Sequence, residues 1–93
     1  MENKITKEKI EKYFNLTEKA LEIAKKSIKK NKQKQAKEII EMVSNYISDA
    51  KYFYNKKDFV NAFAAINYAH GWLDSGVRLD VFKTKDDRLF TIK

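Results

Sequence analysis

The chain has 93 residues, carries 20 Lys and Arg against 13 Asp and Glu for a net charge of +7, and contains neither cysteine nor proline. That length allows one domain with a small core. The missing cysteine excludes disulfides, thiolate metal sites and a cysteine nucleophile, and fits a reducing cytosol. No apolar run approaches the roughly 18 residues of a membrane span, and the opening MENKITKEKI lacks the apolar stretch of a secretory signal. The chain therefore reads as soluble and cytoplasmic, with no membrane partner.

The first predicted helix covers about residues 6–30. Ile10, Tyr13, Phe14, Thr17, Ala20, Leu21, Ala24 and Ile28 form one stripe at 100° per residue. Thr6 has the character of an N-cap, and Ile5 and Ile10 have the spacing of a hydrophobic staple. The second helix covers about 34–55, with Ala36, Ile39, Ile40, Val43, Tyr46, Ile47, Ala50 and Tyr54 on its stripe and Asn55 at its end. The third covers about 58–82. It opens on Asp58 as N-cap and carries Phe59, Ala62, Phe63, Ile66, Ala69, His70, Leu73, Val77 and Val81.

Connections this short favour antiparallel neighbours. The expectation is an all-α chain, one domain over residues 1–93, folded as an up-down-up three-helix bundle. The tail, residues 83–93, contains Leu89, Phe90 and Ile92. These are apolar enough that the tail is expected to dock on the bundle.

The third helix is unusual for a chain with 35% charged residues, because Phe59–Leu73 contains no Lys, Arg, Asp or Glu. The run NAFAAINYAHGWLDSGVRLDVF, with YISDAKYF before it and RLFTIK after it, resembles the archaeal domain-of-unknown-function family numbered 357. The resemblance is good over about residues 40–93, and NYAHGWLD carries most of its specificity. It implies a small three-helix bundle from a cytosolic archaeal protein, and it brings no activity with it. His70 stands where members of the family often have Tyr, so the resemblance does not imply an essential imidazole.

On a helical wheel Ala65, Trp72, Gly76 and Leu79 widen the core stripe of the third helix on one flank. Trp72 is expected in the core, as suits a helix that touches two partners. The opposite face carries Ala64, Asn67, Tyr68, Gly71, Asp74, Ser75 and Arg78, with Val60 above them. Gly71 costs its helix about 1 kcal/mol relative to Ala, a cost usually accepted where another backbone comes close. That face is expected to meet a partner protein or a second copy of the chain, or else to lie beneath the tail.

Lys25, Lys26, Lys29, Lys30, Lys32, Lys34 and Lys37 fall in a stretch with no acid. Such a cluster attracts phosphates, which makes accessory nucleic-acid binding the alternative function. It lacks Arg and aromatic residues, so it could equally be a solvated end. His70 and Asp74 are an i,i+4 pair, but no nucleophile, base and orienting group accompany one another. A single His without Cys falls short of a metal site. No catalytic residue, metal, cofactor or small-molecule substrate is expected.

Overall fold

A computed structural model describes residues 5–86, and within them three helices follow one another: α1 (Lys7–Lys25), α2 (Gln33–Asn55) and α3 (Phe59–Arg78). The chain is an all-α, up-down-up three-helix bundle. Two of the expected caps form. Thr6 Oγ1 accepts from the Lys9 amide at 3.1 Å, and Asp58 Oδ1 accepts from the Asn61 amide at 3.2 Å. Each satisfies one of the donors that a helix start leaves unpaired. By contrast α2 opens on Lys32, which makes no side-chain cap.

The three helices are not equivalent. α3 packs along both of the others, most extensively along α2, whereas α1 and α2 scarcely meet. This central position explains its broad apolar band. Ala62, Ala65, Ile66, Ala69, Leu73, Gly76 and Val77 are all buried. They pack with Ile10, Phe14, Ala20, Leu21 and Ala24 of α1 and with Ala36, Ile39, Val43, Ile47 and Ala50 of α2. Where α1 and α2 diverge, a shallow cleft of about 300 Å³ opens. It is spanned by polar contacts: the Tyr54 hydroxyl donates to the Glu11 carboxylate, and Lys51 pairs with Glu18 at 3.2 Å.

Both ends of the α2–α3 hairpin close in the same way. After α2, the Lys57 amide donates to the Tyr54 carbonyl at 3.0 Å and the Asp58 amide to the Phe53 carbonyl at 2.9 Å, with Lys57 at φ 61°. After α3, the Asp80 amide donates to Val77 at 3.1 Å and the Val81 amide to Gly76 at 2.8 Å, with Asp80 at φ 61°. These paired bonds around a left-handed residue are Schellman motifs built without glycine.

Two boundaries differ from the sequence expectation. α1 ends at Lys25 rather than near residue 30, and α3 at Arg78 rather than 82. The reason is one tertiary contact. Ile28 and Phe82 form an isolated antiparallel bridge, in which the Lys29 amide donates to the Val81 carbonyl at 3.0 Å and the Lys83 amide to the Ser27 carbonyl at 2.8 Å. Ile28 and Val81 keep helical spacing in the sequence, but their backbones serve this clasp. Phe82, 1% exposed, then packs over Gly76. A Cβ on Gly76 would lie 2.5 Å from Phe82 Cε2 and 3.3 Å from Ile39 Cδ1, so only glycine fits there. The expected docking of Leu89, Phe90 and Ile92 lies outside the described residues.

Candidate functional site: the outer face of α3

The side of α3 turned away from both other helices is the uncharged face singled out in the sequence. Ala64, Asn67, Tyr68, Gly71 and Ser75 are exposed along it and, with Trp72, line an open, mainly apolar groove of about 590 Å³. Of the seven residues expected there, five line the groove. Asp74, half-buried, and the exposed Arg78 do not line it.

Trp72 meets its core expectation only in part. It packs against the core but is only partly buried, and it also lines the groove. Its position at the edge of the apolar band was the available signal, because an edge residue on the middle helix can be shared between core and surface.

One wall of the groove is aromatic. Tyr68, 63% exposed, stacks on Tyr46 of α2 with ring centroids 5.4 Å apart and planes 19° apart. This holds a large amphipathic side chain upright at the rim, at little further conformational cost to any partner that meets it. Val60 and Leu79, 66% and 69% exposed, continue the apolar face beyond either end. At the centre, a Cβ added to Gly71 would meet nothing within 4 Å among the described residues. The two glycines of the chain thus have different causes. Gly76 is demanded by Phe82, while nothing among the described residues demands Gly71.

His70 points elsewhere. Its Nδ1 and the Thr17 hydroxyl of α1 are hydrogen-bonded at 3.1 Å, and Thr17 is fully buried. The imidazole therefore ties α3 to α1 on the side away from the groove. Among the described residues no three or more His, Asp or Glu side chains gather as metal ligands would. No described helix is long and apolar enough to cross a membrane.

The lysine cluster occupies the end of the bundle where α1 passes to α2. Lys25, Lys26, Lys30, Lys34 and Lys37 are exposed, and Lys29 and Lys32 are half-buried. Lys25 pairs weakly with Glu22 at 3.7 Å.

No curated protein and no solved structure matches the chain. One family model does, over residues 12–82. That span takes in most of α1, all of α2 and α3, every residue that lines the groove and the bridge at Phe82, and extends well forward of the stretch on which the sequence resemblance was strongest. On that match, the chain belongs to the family described as protein of unknown function DUF357.

Proposed function

We propose that the protein is a non-catalytic interaction module, which binds a partner protein or a second copy of itself through the outer face of α3. The observation that carries this reading is Gly71. A helix-interior glycine costs about 1 kcal/mol relative to alanine, and no described part of the chain comes close enough to require it. It lies between Tyr68 and Ser75 on an uncharged, apolar groove, on a chain otherwise rich in lysine. Close approach by another backbone accounts for both the glycine and the cleared charge. The absence of cysteine and the high lysine content support a cytosolic role, consistent with an archaeal source.

Gly71→Arg tests the proposal, because the space around the Cβ lets the fold accept a long side chain while the groove is filled. The expected result is loss of association in sedimentation velocity or partner titration, with helical circular dichroism unchanged. Loss of helicity would place the face inside the folded monomer and sink the reading.

A further inference from the structure

Nine lysines converge on one end of the bundle. Seven belong to the stretch Lys25–Lys37. Lys83 and Lys85 arrive from the far end of the sequence, because the clasp ties the Lys83 amide to the Ser27 carbonyl at 2.8 Å. Phe82, buried over Gly76, anchors that crossing, so Lys83 is fixed beside the loop. Residues 22–38 and 78–86 together hold ten basic side chains against the four carboxylates of Glu22, Glu38, Asp80 and Asp86. That is a net of +6 at one end, out of +7 for the whole chain. In the sequence the excess charge belongs to the first two thirds of the chain. In space its densest part is one end of a body 42 Å long.

The fold gains little from this arrangement. Lys25, in the last turn of α1, complements the helix dipole, but Lys34 stands in the first turn of α2, where a positive charge opposes it and no acid is present. The remaining lysines repel one another. Such a field attracts a dense polyanion. Lysines supply nine of its ten positive charges, Arg78 in the last turn of α3 being the one guanidinium, and its one aromatic, Phe82, is buried. Ammonium groups carry no bidentate fork for reading base edges, and no exposed ring of these two stretches offers a platform on which unpaired bases could stack. What remains is selection for charge density, and a duplex carries about one charge per 1.7 Å of axis. The widest cross-section of the body, 25 Å, spans about seven base pairs at 3.4 Å each.

We propose that the clasped lysine end is a sequence-independent docking surface for the phosphate backbone of a nucleic-acid duplex, separate from the α3 groove. About four phosphate contacts give a log–log salt slope near −3.6 and a loss of about 100-fold between 50 and 200 mM salt.

The test is fluorescence anisotropy with a labelled 20-base-pair DNA duplex, an RNA duplex, and the single strand of the same sequence. Titrations use the wild type, the K83Q/K85Q pair, and the K56Q/K57Q pair from the turn at the opposite end. The proposal expects K83Q/K85Q to weaken duplex binding by about tenfold at 100 mM salt and to make the slope shallower by about 1 to 2. K56Q/K57Q should leave both unchanged. Absence of binding at 50 mM salt would overturn it, as would equal losses for the two pairs of variants. So would tighter binding to the single strand, or to vesicles with anionic headgroups, than to either duplex.

Discussion

At the scale of single residues, the two glycines make opposite predictions from the same substitution. Gly71→Ala adds a methyl group where nothing stands in its way and removes the helix-propensity cost, so it should stabilise the fold by about 0.5–1 kcal/mol. Gly76→Ala drives a Cβ into the buried Phe82 ring and should destabilise by about 1–3 kcal/mol. Thermal unfolding of the two variants measures both. If Gly71→Ala also weakens association, a stabilised fold will have lost function, which is hard to explain unless the glycine serves a partner.

Tyr54 makes a third prediction at this scale. Its pKa is pushed up from 10.0 to about 12, first by the hydrogen bond it donates to Glu11, then by partial burial and the charges of Glu11 and Glu8. The neutral phenol is the form favoured by folding. Its contribution should therefore be complete below about pH 10 and fade as the pH rises through about 12. The difference in melting temperature between wild type and Tyr54→Phe should hold constant below pH 10 and narrow above it. A gap undiminished at pH 12 contradicts this.

At the scale of elements, the starts of α1 and α3 and the end of α2 at Asn55 were legible, and the ends of α1 and α3 were not. Thr6 and Asp58 cap as their chemistry indicates, because an N-cap is a local contact between a side chain and the next turn. The ends of α1 and α3 are set by the pairing of Ile28 with Phe82, residues more than fifty positions apart. Nothing in the spacing of either stretch distinguishes an apolar residue on a helix from one in that clasp. The αL residues were hidden for a related reason, since Lys57 and Asp80 hold positions where glycine would have announced the turn. Lys57→Gly and Asp80→Gly should each stabilise by about 0.5–1 kcal/mol. This is the left-handed cost relieved, less the added chain entropy of glycine. Denaturant midpoints without a change in m-value would establish it.

At the scale of the whole molecule, the bundle and most of the groove followed from periodicity. Ala64, Tyr68, Gly71 and Ser75 share a face on any helix, wherever its partners sit. What periodicity could not supply is the order of packing. With α3 central and α1 nearly clear of α2, Trp72 falls at a seam and becomes part of the surface. The joining of Lys83 to the lysine loop likewise needs the chain's return path, which composition does not encode.

The central claim is that the outer face of α3 holds another protein chain, and its most direct measurement is a paired capture from nuclease-treated native lysate. Wild type and Gly71→Arg are used as baits, and a differently tagged second copy of the chain is included as prey. The account predicts one protein, either that second copy or another chain, retained in stoichiometric amount by the wild type and lost by a Gly71→Arg bait that is still helical. Equal recovery with both baits would contradict it, as would a wild-type bait that holds no stoichiometric protein at all.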